Sequence, residues 1–440
     1  MFTTHRLNFT ENKLIFSYSP SKLNLLIAIL FSVLCFAQND SLKIVQPHRK
    51  NTEWAMKQPY VILISADGFR HDYPEKYNAE NIINLGKSGV RAKAMIPSYP
   101  SITGPNHYTL VTGLYPSHHG MVDNHFYDEK RKEAFYFGNP KNIRDGSWLG
   151  GYPIWGVAER SGMLSATMMW VASDGDAGGV RPTYAYKYSG KVTPEEKVNQ
   201  IIDWLKLPEE TRPHFITLYY PEVDHSGHIY GTEAPETRDA VQLVDKSIGE
   251  LVQRVKELNL PNVNFVFVSD HGMTNVDIKN PLEIPTFLKD KNQYRYVNSQ
   301  TLVRISVLDQ HNINATYKKL KQEANPEYKV VLAKRLPKKL HYATRDDRFN
   351  RMGDIYLLPK APKIFLEQGQ KTTLGKHGYN PYLVKDMNAM FIANGVQFQS
   401  NKEISKFRNV DVYPFILEIL GLKPLEQIDG KKTLIRKVLK

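Results

Sequence analysis

Three nearly continuous apolar runs of strand length each lead to an acidic residue: Val61-Ile-Leu-Ile-Ser-Ala before Asp67, Phe215-Ile-Thr-Leu-Tyr-Tyr shortly before Asp224, and Phe265-Val-Phe-Val-Ser before Asp270. A run without polar alternation must be covered on both faces, as a strand is in a parallel sheet between layers of helices. Between the runs the periodicity is helical. Thr193-Pro-Glu-Glu196 combines a capping box with proline at the first helical position and opens a helix to about Leu205. Over residues 235–258, Val241, Val244, Ile248, Leu251, Val255 and Leu258 form one apolar stripe, which reads as core. Further strands are expected at 60–66, 165–170, 263–269 and 389–393, and helices at 75–86 and 410–420. The pattern predicts an α/β fold built on a mostly parallel sheet.

The 440 residues, 41% hydrophobic and 23% charged, exclude wholesale disorder and suffice for a large core. Residues 1–37 read as a secretory signal. Arg6, Lys13 and Lys22 precede an apolar run from Leu23 to Phe36, and Cys35 and Ala37 stand at −3 and −1 of a cleavage site. The run is short and wrongly flanked for a membrane span, and Leu34 disfavours a lipid anchor at Cys35. Export to a periplasm or the exterior is therefore expected. Cys35 is the only cysteine, so the mature chain would have neither disulfides nor thiolate ligands; any transition metal must rest on His and carboxylate. Residues 38–58 read as an extended entry segment and 59–440 as the catalytic domain. A Lys/Arg-rich α+β subdomain is expected at about 280–370, with strands at 296–308, 328–333 and 354–358 and a helix at 315–324. Loss of Arg6, Lys13, Lys22 and Glu11 would lower the net charge from +13 to +11. Such a surface attracts anionic substrates, or simply aids solubility; no nucleic-acid module is recognisable.

In open α/β sheets ligands gather beyond the carboxyl ends of strands, so Asp67, Asp224 with His228, and Asp270 with His271 are expected to meet although distant in sequence. His377, in Gly375-Lys-His377-Gly, joins them. Three Asp and three His provide for two metal ions of the hydrolytic type, which bind the attacking and leaving oxygens of a displacement at phosphorus. Each residue has a plainer reading: Asp67 as a helix cap, His228 as a helix-face neighbour of Asp224, Asp270-His271-Gly272 as a turn, and His377 as a loop histidine. The candidate nucleophile is Thr103, placed at a helix N-terminus by the helical pattern from Pro105 to Thr112. There the free N–H groups favour a phosphate and a metal would lower the hydroxyl pKa. Its plainer reading is an N-cap.

Asp67, Thr103-x-Pro-Asn-His-Tyr, Thr112-Gly-Leu-Tyr-Pro, His119-Gly, Asp123-Asn124, Asp224-x-x-x-His228, Asp270-His271-Gly272 and His377-Gly-Tyr379 occur in that order. The order resembles the nucleotide pyrophosphatase/phosphodiesterase family of the alkaline phosphatase superfamily, over about residues 59–420. The resemblance implies an alkaline-phosphatase-like sheet sandwiched by helices, and two Zn2+ ions. One would be held by Asp224, His228 and His377, the other by Asp67, Asp270 and His271 with Thr103 as the variable ligand. It implies that Thr103 attacks phosphorus, that hydroxide then hydrolyses the phosphothreonine, and that Asn124 and the Gly104 N–H donate to a non-bridging oxygen. Substrates would be small phosphodiesters or nucleotides, with no specific nucleic-acid partner. Gly104 departs from the family, whose nucleotide-cleaving members carry an aromatic there, and Ile102 replaces a frequent lysine. Tyr188 keeps the other wall of the nucleobase slot. One-sided stacking would forfeit roughly 1–3 kcal/mol. Two alternatives remain: a phosphomonoesterase or phosphonate hydrolase with the same metals, and an inactive basic binding protein.

Overall fold

A computed structural model describes residues 42–440; the expected signal segment lies outside the described residues. Nine strands form the main sheet, in the order Lys43–Val45, Tyr184–Tyr186, Ser165–Met168, Phe215–Tyr220, Tyr60–Ala66, Val263–Val268, Phe391–Gly395, Val90–Ala92 and Lys402–Ile404. The five strands from Tyr184–Tyr186 to Val263–Val268 are mutually parallel. Phe391–Gly395 runs against both neighbours, and Lys43–Val45, within the expected entry segment, closes one edge antiparallel to Tyr184–Tyr186. All seven residues of Tyr60–Ala66 are buried. Val61 and Leu63 join the core cluster that contains Val266, Val268 and Phe391, while Ile62 and Ile64, on the other face by alternation, are equally buried. The unbroken apolar runs exist because both faces are covered.

The capping box closes in both directions, with Glu196 N–H donating to Thr193 Oγ1 and Thr193 N–H to the Glu196 carboxylate. The helix Pro235–Glu257 buries Val241, Val244, Ile248, Leu251 and Val255. The helix expected at 75–86 is instead two, Tyr73–Lys76 and Glu80–Lys87. Asn78 between them adopts φ +51°, a left-handed conformation that breaks helical hydrogen bonding.

A separate antiparallel sheet orders Tyr294–Asn298, Val303–Val307, Ile355–Pro359 and Tyr328–Leu332. It has its own core of Val303, Ile305, Val330, Leu332, Ile355 and Leu357, to which the helix Ile313–Glu323 adds Leu320.

Candidate metal centre and active site

Tyr60–Ala66 lies between Phe215–Tyr220 and Val263–Val268, with Ala66 opposite Tyr220 and Ser65 opposite Val268. Asp67 and Asp270 therefore leave adjacent strands at the same level. Gly68, at φ +65°, turns the chain where a Cβ would come within 3.0 Å of Asp224 Cα, and its N–H donates to Asp270 Oδ1 at 3.2 Å. This close approach brings in the helix Glu222–Tyr230, on which Asp224 and His228 sit one turn apart, Oδ1 to Nε2 3.4 Å. His377 arrives differently. It follows the two-residue strand Gly375–Lys376, which pairs with Thr274–Asn275 outside the main sheet.

The three imidazoles share one arrangement. His228 Nδ1 faces the Gly375 carbonyl at 2.7 Å, His271 Nδ1 that of Gly272 at 2.9 Å, and His377 Nδ1 that of Ser101 at 2.9 Å. A carbonyl only accepts, so the network assigns a proton to each Nδ1 and turns each Nε2 inward, as in metal-binding histidines whose other nitrogen is tied to a backbone carbonyl. The Nε2 atoms of His228 and His377 are 3.1 Å apart; His377 Nε2 is 3.7 Å from Asp224 Oδ1. His271 Nε2 is 3.0 Å from Asp270 Oδ2 and 3.4 Å from Asp67 Oδ1, and its ring stacks on that of His377 at 3.6 Å. Asp67 Oδ1, Asp224 Oδ1 and Asp270 Oδ2 are buried without a hydrogen-bond partner. Buried carboxylate oxygens and ring lone pairs facing one another are costly unless a cation or proton lies between them. The donor set fits divalent cations of the zinc type, with oxygen and nitrogen ligands and no thiolate.

Electrostatics agree with crowding of like groups. Burial, then repulsion from Asp270 and Asp224, pushes the Asp67 carboxyl well above the usual range. Burial acts the same way on Asp270, but the His271 and His107 rings outweigh it and hold that carboxyl well below. Burial, then the His271 and His228 rings, depresses His377 strongly, which suits a neutral ligand. For His271 burial is outweighed by Asp270, which raises it, so a proton on Nε2 competes with a metal ion for that position.

Two sets of donor atoms lie mutually within 4.8 Å: Asp224, His271 and His377, and Asp67, His107 and Asp270. The first differs from the expected partition by containing His271, whose contacts with Asp67 and Asp270 place it between the two sets. The second contains His107, which sequence reasoning quoted but gave no role. Its Nε2 pairs with Ser65 Oγ at 2.9 Å, its Nδ1 meets the Thr103 carbonyl at 3.1 Å, and Asp270 Oδ2 is 3.3 Å from Nδ1. With both nitrogens engaged, His107 acts as a support for Asp270 and the Thr103 turn. Its spacing of four from Thr103, one helical turn, was the available signal. Tyr219 was also missed; its hydroxyl donates to Asp67 Oδ2 at 2.6 Å.

Thr103 is the first residue of the helix Thr103–Thr112, and Ile102 is the N-cap, so the plainer reading of Thr103 as the cap does not hold. Asn106 fixes this start by donating to the Pro100 and Ile102 carbonyls, both at 2.9 Å, and accepting from Ser98 N–H at 2.8 Å. Thr103 is 9% exposed, and its Oγ1 lies 3.1 Å from His271 Nε2. Asn124 stands beside it, but its Oδ1 takes the Gly104 N–H at 2.9 Å, so one of the two expected phosphate donors is engaged with the other. A Cβ at Gly104 would meet Asn124 Oδ1 at 2.7 Å, Met121 Sδ at 2.9 Å and Phe137 Cδ2 at 3.0 Å. The space a side chain would need at 104 is thus held by Asn124, Met121 and Phe137 together. Phe137 and Tyr188 line one cavity of about 320 Å³ together with Trp170, Met169, Asp174 and Tyr219. Phe137, which directly follows the hairpin His125–Asp128/Glu133–Tyr136, thus adds an aromatic to the cavity that Tyr188 lines, one the sequence did not point to.

Residues 61–380 match the family described as type I phosphodiesterase/nucleotide pyrophosphatase. Venom phosphodiesterase 2 of Crotalus adamanteus is 35% identical over 382 residues, 84% of this chain and 46% of that protein. Human ectonucleotide pyrophosphatase/phosphodiesterase family member 1 is 35% identical over 377 residues, 83% of this chain and 40% of that protein. The chain spans about half the length, or less, of these curated relatives. Among solved structures, murine ectonucleotide pyrophosphatase/phosphodiesterase 5 superposes with a TM-score of 0.79 at 28% identity, covering 87% of this chain and all of that one. An inactive form of the same murine protein, with the same TM-score at 27% identity, is in complex with AMP.

Proposed function

Because the chain belongs to the type I phosphodiesterase/nucleotide pyrophosphatase family, we propose that it hydrolyses phosphodiester or pyrophosphate bonds of small molecules, nucleotides among them, through a phosphothreonine at Thr103. One observation carries the reading: beside Thr103 Oγ1, 3.1 Å from His271 Nε2, lies a cluster of three inward Nε2 atoms and three carboxylates, each with a buried oxygen that lacks a hydrogen-bond partner. Asp224, His228 and His377 would hold one divalent cation, and Asp67, Asp270 and His271 the other, with Thr103 as a variable ligand. Bound Zn2+ would supply Lewis acidity, lowering the hydroxyl pKa and neutralising charge on the attacking and leaving oxygens.

The chain's own residues do the remainder. Thr103 Oγ1 attacks phosphorus, the bond to the leaving oxygen breaks, and water later attacks from the opposite side to free the threonine. In this reading Asn124 Nδ2 donates to a non-bridging oxygen, and Gly104 N–H joins it once Asn124 Oδ1 releases that hydrogen. His107 holds Asp270, and Tyr219 holds Asp67. The cavity between Phe137 and Tyr188 favours a substrate with a flat aromatic group, a nucleobase in the first instance. Export is part of the same reading, supported by the apolar run Leu23 to Phe36 and by relatives named for venom or as ectoenzymes. Among the described residues no helix is long and apolar enough to cross a membrane.

The test is turnover of bis-p-nitrophenyl phosphate against p-nitrophenyl phosphate, with zinc analysis before and after chelation. Faster diester turnover, lost with the metal and restored by Zn2+, is expected. Faster monoester turnover would replace this reading with a phosphomonoesterase, and a metal-free protein without chelator-sensitive activity would replace it with a binding protein.

A further inference from the structure

The segment that carries Asn124 belongs to the main domain, yet its hold comes from the four-stranded sheet and the chain around it. Arg304, on the strand Val303–Val307, is 3% exposed and reaches Asp123 Oδ2 at 3.2 Å. Its other contacts are the His125 carbonyl at 2.6 Å and the Arg351 carbonyl at 3.4 Å. Ser299 donates to the same Asp123 Oδ2 at 2.6 Å, and Tyr342 donates to the Val122 carbonyl at 2.8 Å. Residues 122, 123 and 125 are thus gripped from one side, while the Asn124 side chain turns to Gly104. The same corner reaches across the site, where Thr301 donates to the His377 carbonyl at 2.9 Å.

A buried ion pair is a poor way to gain stability, since desolvation offsets most of the attraction, but it tolerates few alternative geometries. A fully buried Arg304–Asp123 pair next to a residue that must meet a phosphate oxygen within a few tenths of an ångström is better explained by orientation than by stability. We propose that Arg304 and Ser299 are positioning residues that act through Asp123 to aim the Asn124 amide at the phosphate. The small sheet then sets the geometry of a site to which it contributes no reacting group. This rests on the reading that Asn124 touches the substrate.

The experiment is a double-mutant cycle. Ser299→Ala and Arg304→Lys are each made in the wild-type and Asn124→Ala backgrounds, with kcat and KM on bis-p-nitrophenyl phosphate, orthovanadate affinity by calorimetry, zinc content and melting temperature. A displacement of about 1 Å can cost on the order of 100-fold. In the wild-type background, kcat and vanadate affinity are expected to fall together by about 10- to 100-fold for Arg304→Lys and less for Ser299→Ala, with zinc retained. In the Asn124→Ala background the same changes should cost less than about 3-fold. Equal losses in both backgrounds, or unchanged kcat in both single variants, overturn the proposal; Ser299→Ala keeps the cycle readable should Arg304→Lys fold poorly. If Asn124→Ala itself leaves kcat unchanged, the proposal and the Asn124 role fall together. The Thr103 reading then stands or falls separately, on Thr103→Ala.

Discussion

The nine-stranded sheet delivers Asp67, Asp224, His228, Asp270 and His271 from the chain that leaves its parallel strands, whereas the four-stranded sheet delivers no candidate reacting group and touches the site through Arg304, Ser299 and Thr301. Both sheets have buried cores, and both abut the centre, so burial alone does not say which is chemical. The distinction lies in where unsatisfied polarity is left. At the end of the large sheet three carboxylate oxygens without partners lie together, while the small sheet's contacts to Asp123 and His377 are hydrogen-bonded, with Arg304 Nε left without a partner there. Several acceptors left wanting a partner together in one buried place point to a cation, and groups that spend most of their hydrogen bonds on one neighbouring segment point to positioning.

Substitutions at the two sheets should separate along that line. The largest effect is expected for Thr103→Ala, with turnover reduced by as much as about 10⁶-fold, the scale of removing a nucleophile, while zinc by elemental analysis stays at the wild-type level. Wild-type-like rates would mean that the nucleophile is another group. Next, Asn124→Ala should lower kcat by about 10²–10³-fold, as losing one preorganised donor does; a change confined to KM would show that Asn124 serves ground-state binding only. His107→Ala removes the support of Asp270 and should weaken zinc affinity by about 10–100-fold, the usual cost of an outer-shell partner. Competition with a fluorescent chelator reads this directly, and a larger loss would promote His107 to ligand. The smallest effect is expected for Phe137→Ala. It should raise KM by about 5- to 30-fold for a nucleoside ester, equivalent to about 1–2 kcal/mol at the lower end of base–aromatic stacking, and little for methyl p-nitrophenyl phosphate relative to wild type. Equal changes on both substrates would show that Phe137 is packing, not recognition.

Several elements were legible early because their cause is local. Tyr60–Ala66, Phe215–Tyr220 and Val263–Val268 are strands because their residues are apolar without alternation, and the Thr193 box reads directly as a helix start. Asp67, Asp224, His228, Asp270 and His271 were legible from their place after those strands, whereas His377 follows a two-residue strand outside the main sheet. The break at Asn78 was not, since one left-handed residue leaves no periodic mark. Phe137, Tyr219 and Arg304 were not legible either. Phe137 follows Gly104 by 33 positions, and Arg304 meets Asp123 across 181, so neither pairing has a sequence signal.

By itself the sequence determined that strands would be buried on both faces, that acids and imidazoles would follow them, and that no thiolate beyond Cys35 could take part in a metal site, because each follows from hydrophobicity, order and composition. Only the tertiary structure decided which nitrogen each histidine turns inward, that His107 is tied to Asp270, and that Asn124, Met121 and Phe137 close around Gly104. Those outcomes depend on hydrogen-bond partners and volumes supplied by chain far away in sequence, and such contacts exist only once the core has closed.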